Sequence, residues 1–106
     1  MEGWVTAKAA ILQALTVGPG YGLQLIERVR WRSNGGVLLQ QGSIYPALRA
    51  LECEGLVCTI KESTTRKRTS GRPRISYQLT AEGAQIAQQQ RRLAAALFRV
   101  SAVEFE

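Results

Sequence analysis

The chain has 106 residues, 45% of them hydrophobic, and a formal net charge of +6. That length suits one modest domain with its own core and is too short for two, while the apolar share excludes a chain disordered throughout. Five of the fourteen basic residues and none of the eight acids fall in one stretch, TTRKRTSGRPR at 64–74, so nearly all the excess charge is local and points to a polyanion-binding patch.

The opening MEGWVTAKAA lacks the basic start and long apolar stretch of a secretion signal. No apolar run approaches the roughly 18 residues of a membrane span, and a cytoplasmic protein is expected. Residues 5–17, VTAKAAILQALTV, are rich in Ala and Leu, with Trp4, Lys8, Ile11 and Leu15 at helical spacing. This predicts an amphipathic first helix, stopped by Gly18-Pro19-Gly20. A second helix is predicted at about 21–33, its apolar stripe Leu25, Ile26 and Val29, with Glu27, Arg28, Arg30 and Arg32 facing out as a solvated surface.

SNGG at 33–36 is a break, and VLLQ after it is a short strand or extended chain. A third helix follows in GSIYPALRALECEGL, with Ser43 as N-cap, Pro46 as its third residue and Tyr45, Leu48 and Leu51 as an inward stripe. Gly55 ends it. Cys53 and Cys58 are expected to be free thiols, buried or half-buried; with no histidine in the chain, the usual ligands of a zinc site are missing.

LVCTIKES (56–63) and ISYQLT (75–80) alternate and carry β-branched residues, so they form a hairpin with the basic stretch at its tip. Thr80 caps a fourth helix, with Glu82 in its first turn, where a negative charge suits the helix dipole. Along it Ile86, Leu93, Leu97 and Val100 recur as a seam for a partner helix, supplied either by the first helix or by a second chain.

The fold class is therefore mostly α with a small β-hairpin, in the order α-α-α-β-β-α. Three helices and a two-stranded wing make a winged helix-turn-helix over residues 1–80, followed by a C-terminal dimerisation helix at 81–106 in a single structural unit. In that arrangement the third helix lies in the major groove with its N-terminal residues nearest the bases: Ser43, Ile44, Tyr45 and Pro46, with Arg49 one turn on. At the wing tip Arg66, Lys67, Arg68, Arg72 and Arg74 touch phosphates or enter a narrow minor groove.

GSIYPALRALECEGLV followed by GRPRISYQLTAEG resembles the PadR family of bacterial transcriptional regulators, in its small, short-tailed form. ILQALTVGPGYGLQLIERV is similar to that family's first two helices, so the resemblance spans roughly residues 9–86. It implies a homodimer that represses by binding a two-fold operator, commonly that of its own operon, and that a small molecule can release. It implies major-groove contacts by Ser43, Tyr45 and Pro46, and wing contacts by Gly71, Arg72 and Pro73. It also implies that aromatics near the dimer seam stack on flat ligands. Trp4, at the start of the first helix, is the candidate there, both as interface and as effector-binding residue, and Trp31 raises the same question. The chain departs from the family at Gly22-Leu23, where a Gly-Tyr pair is usual and the aromatic has moved to Tyr21, and at Ala50, where a basic residue is common.

The rival to a DNA-binding regulator is a winged-helix module for protein or RNA. An enzyme is not expected: the chain has neither histidine nor aspartate, and no set of groups suited to acid–base or nucleophilic chemistry. No cofactor is expected.

Overall fold

The computed structural model describes residues 6–61 and 75–104, with Lys61 and residues 98–104 described by backbone alone. The described chain runs α1 (Ala7–Ala14), a 3₁₀ turn (Leu15–Val17), β1 (Gly20–Tyr21), α2 (Gly22–Arg32), α3 (Gln41–Cys53), β2 (Val57–Lys61), β3 (Ile75–Leu79) and α4 (Ala81–Glu104). The fold is mostly helical with a small antiparallel sheet. The sheet has three strands where a two-stranded hairpin is predicted, in the order β1-β3-β2. The added strand is the two-residue β1, paired through Gly20 with Tyr77 and Tyr21 with Ser76.

α1 is shorter than predicted. Thr6 caps it, its side chain accepting from the Ala9 amide at 3.1 Å, and its last turn tightens to 3₁₀ before the Gly18-Pro19 stop. α1, α2 and α3 bury Ile11, Leu12, Leu15, Leu25, Val29, Ile44, Leu48 and Leu51, joined by Leu39, Val57 of β2 and Ala87 of α4. Among the described residues no polar or charged side chain is buried in this core.

α3 begins three residues earlier than the sequence predicts. Its N-cap is Gln40, which makes no side-chain cap bond, and Ser43 is the third residue inside the helix. Pro46 is then the sixth residue, not the third. It therefore removes an internal bond, the one that would reach the carbonyl of exposed Gly42, where water can serve instead. The helix ends as expected. Gly55 takes φ +80, the Leu56 amide reaches the Leu51 carbonyl at 2.9 Å and the Gly55 amide reaches Glu52 at 3.0 Å, a Schellman ending.

Thr80 does cap α4. Its hydroxyl oxygen accepts from the Gly83 amide at 3.0 Å while the hydroxyl donates to the Gly55 carbonyl at 2.7 Å. Gly83 has no room for a side chain: a Cβ there would collide with the Leu56 carbonyl. Those two contacts lock the start of α4 against the end of α3. Gln13 then holds α4 to α1, donating to the Ala87 carbonyl at 2.8 Å and to Gln90 Oε1 at 3.0 Å. From Arg91 to Leu97 every residue of α4 is exposed. No helix among the described residues is long and apolar enough to cross a membrane.

Candidate nucleic-acid interface

α3 presents one face to the core and the other to solvent. Ile44, Leu48 and Leu51, at spacings of four and three, are fully buried. Ile44 is thus a core residue and offers nothing to a ligand, which corrects its expected place among the DNA contacts. The inward stripe predicted to include Tyr45 runs through Ile44 instead. Ser43, Tyr45, Pro46 and Arg49 are exposed, and Tyr45, Pro46, Arg49, Ala50 and Cys53 line a shallow groove on the outer side of the helix. Cys53 is therefore exposed, against expectation, while Cys58 is half-buried; both are free.

Tyr45 connects α3 to α2. Its ring lies over Gly22, where a Cβ would come within 2.6 Å of Cζ and 2.7 Å of Cε1. Only glycine lets the first turn of α2 and the ring come this close. Tyr77, on β3, approaches the same region. Burial pushes its phenol above the ordinary value, the Glu52 carboxylate and Tyr45 push the same way, and Arg49 pulls against them. α3 and the base of the β2–β3 hairpin therefore meet around Tyr45, Arg49, Glu52 and Tyr77. The sequence reading assigned Tyr77 no place in this cluster. Its only signal was position: three residues beyond the basic stretch, at an alternating site on a strand.

Of the arginines of α2, Arg30 and Arg32 are exposed as predicted, while Arg28 departs from the solvated role. Arg28 turns inward to the loop before β1, donating through Nη1 to the carbonyls of Ala14 at 3.1 Å and Gly18 at 2.8 Å, and through Nη2 to Pro19 at 2.6 Å. Its guanidinium also fills the space beside Gly20. Arg32 donates to the Gln13 carbonyl at 3.0 Å. Arg30 lies 3.7 Å from Glu27 and 5.9 Å from the Trp31 ring centre. Trp31 itself is exposed, beside Asn34, Gly35 and Leu38.

The wing-tip residues Arg66, Lys67, Arg68, Gly71, Arg72, Pro73 and Arg74 lie outside the described residues, as does Trp4. The strands on either side of that stretch are in place, paired from Val57 with Leu79 to Lys61 with Ile75, and β2 packs against α3. Of the predicted α4 seam, Ile86 packs against the core, Leu93 and Leu97 are exposed, and Val100 is placed by backbone only. No cluster of His, Cys, Asp and Glu among the described residues could hold a metal ion.

Three core helices, a strand-paired wing and an exposed third helix define a winged helix-turn-helix. The model of the Transcriptional regulator PadR-like family matches residues 11–89, and the chain belongs to that family. No curated protein matches the chain significantly. Among solved structures it is similar to a PadR family transcription regulator from Clostridium difficile R20291 (21% identity, TM-score 0.73, covering 94% of this chain and 98% of that one). It is similar to the circadian clock associated protein Pex from Anabaena (26%, 0.65, covering 91% and 80%). It is also similar to Bacillus subtilis PadR, solved in complex with operator DNA (23%, 0.66, covering 78% and 45%).

Proposed function

We propose that the chain is a sequence-specific DNA-binding repressor that acts as a homodimer in the cytoplasm on a two-fold operator, its own or a neighbouring operon's. The carrying observation is the exposed face of α3, with Ser43, Tyr45, Pro46 and Arg49, standing beside the root of a hairpin whose connection holds five cations at 64–74 and no acid. Such a run repels itself in isolation and is relieved by a phosphate backbone, with release of the counterions condensed on DNA. The operator complex of Bacillus subtilis PadR supports a DNA partner for this relative.

Residues 1–80 form the DNA-binding part and 81–106 the dimerisation helix. Leu93 is 60% exposed and Leu97 67%, on a helix already anchored to α1 through Ile86, Ala87 and Gln90. A second copy would cover them together with Val100 and with Trp4, which precedes α1 in the sequence. Paired subunits then require half-sites roughly 34–36 Å apart, one helical turn. A flat aromatic effector stacked near Trp4 would release the complex, and quenching of tryptophan emission by planar aromatics reads this out.

Light scattering at two concentrations and titration of the chain's own upstream duplex test the whole reading. A dimer is expected, with log affinity falling steeply against log salt, a slope of about −9 if the five wing cations of both subunits are all engaged. A micromolar monomer, or affinity flat between low and moderate salt, refutes it. Tight binding to RNA or to an acidic protein without duplex binding would establish the rival winged-helix module.

A further inference from the structure

α4 is held at two places near its start. The first joins it to the end of α3. The Thr80 hydroxyl donates to the Gly55 carbonyl at 2.7 Å, the Thr80 amide donates to the Leu56 carbonyl at 3.0 Å, and Gly83 rests against that same carbonyl with no room for a Cβ. Leu56 is itself tied to α3, its amide donating to the Leu51 carbonyl at 2.9 Å. The second place lies two turns on, where Gln13 of α1 donates to the Ala87 carbonyl at 2.8 Å and to Gln90 Oε1 at 3.0 Å. A helix held at one point can swing. Held at two points about 10 Å apart, it has a fixed direction.

Closing the core does not call for this. α4 gives the core Ala87 and part of Ile86, yet its backbone continues to Glu104, about 20 Å past Gln90. From Arg91 to Leu97 every side chain is exposed, Leu93 and Leu97 among them. A projecting helix aimed by two anchors, one of them on the end of α3, fixes where α3 stands relative to whatever covers that projection.

We propose that Thr80 and Gly83 are positioning residues that set the spacing between operator half-sites. They fix the angle between α3 and α4, and through it the separation of the two α3 helices in a dimer. The proposal rests on the dimeric DNA-binding reading above and deepens it, by assigning the ruler to the joint at the root of α4. The leverage is sufficient. Alanine at 83 collides with the Leu56 carbonyl, so the root must move outward by about 1 Å or more. Pivoting on Gln90, about 10 Å away, that tilts α4 by roughly 5–6°. Both subunits tilt, so the two halves turn relative to each other by up to about 11°, a third of the roughly 34–36° between successive base pairs at about 10–10.5 per turn.

The test uses the full-length protein. Duplexes are selected from a random pool, and the selected site is remade with its centre lengthened or shortened by one and two base pairs. Affinity for each duplex is measured for wild type, Gly83→Ala, Thr80→Asp and Thr80→Ser, with light scattering and a melting temperature for each protein. Thr80→Asp keeps an acceptor for the Gly83 amide but has no proton for the Gly55 carbonyl, so it opens the joint without uncapping the helix. Thr80→Ser keeps both bonds. Wild type is expected to lose about 10-fold or more in affinity for each base pair of altered spacing. In Gly83→Ala and Thr80→Asp that penalty should change by about threefold or more, with the dimer and the preferences within each half-site intact, while Thr80→Ser matches wild type. Lost stability alone would weaken binding at every spacing alike. A Thr80→Asp protein that folds, dimerises and keeps the wild-type spacing profile overturns the assignment and leaves DNA binding intact, whether or not Gly83→Ala folds. A monomeric wild type, or failure to enrich any duplex, would instead remove the dimeric DNA-binding reading itself, and this assignment with it.

Discussion

Replacing Gly22 by alanine tests the close contact between α2 and the outer half of α3. The new Cβ would sit 2.6–2.7 Å from the Tyr45 ring carbons, against the 3.5–4.0 Å of a comfortable carbon contact, so the ring must retreat by about 1 Å. Tyr45 is 46% exposed, so it can swing outward, at the expense of its remaining buried half. With about 100 Å² of ring surface involved, the loss is about 2–2.5 kcal/mol, offset by roughly 0.5–1 kcal/mol from alanine's better helix propensity. The net destabilisation is about 1–2 kcal/mol, a fall in melting temperature of roughly 5–15 °C for a domain this size. In a Tyr45→Ala background the collision is absent, and the same substitution becomes neutral or mildly stabilising. Thermal unfolding of wild type, both single variants and the double variant, at one protein concentration, measures the coupling. Additive effects within about 0.5 kcal/mol would refute the packing argument.

Arg28→Met should destabilise by about 1–3 kcal/mol, since three carbonyls in the loop before β1 lose their donor, and Arg28→Lys should recover only part of this because it lacks the fork; chemical denaturation reads both. Tyr77 should give an alkaline signature. Its phenol is held above its ordinary 10.0, so the unfolded chain releases that proton first, and its contribution to stability is present below pH 10 and lost as pH rises through the folded value. Tyr77→Phe should remove that alkaline component and leave the profile below about pH 9 unchanged.

Much of the fold was legible because its signals are local. Gly18-Pro19, Gly55 and Thr80 punctuate the chain as their chemistry requires, and the alternation at 56–63 and 75–80 marks two strands. β1 escaped because two residues carry no periodicity; Gly20 and Tyr21 are extended only through their pairing with β3. The start of α3 was misplaced because Gly42 reads as a breaker and Gln40 is a poor cap, whereas burial of Leu39 and Ile44 on either side holds the turn together. Arg28 looked outward because helical phase cannot show that a Gly-Pro-Gly loop leaves carbonyls in need of a donor. On the site, Tyr45 and Ile44 exchanged roles. Both fit a helical stripe with Leu48 and Leu51, but spacings of four and three bury more than three and three, and tyrosine tolerates half-exposure.

The wing and the recognition helix are not independent attachments. β3 is the central strand, and its outer neighbour β1 passes straight into α2 without a loop. Two residues after the Gly20–Tyr77 pair, Gly22 lies under Tyr45 of α3. Three consecutive residues, Gly20 to Gly22, thus touch the wing root through backbone pairing and α3 through a ring contact. A displacement of the wing is carried into α2 by backbone bonds, and from α2 into α3 by a contact with no slack. The placement of α3 against the paired strands β2 and β3 is therefore set by the domain before any ligand arrives. This lowers the ordering cost of binding, and it makes Gly20 and Gly22, which reach neither element's outer face, the residues whose replacement would disturb both elements together.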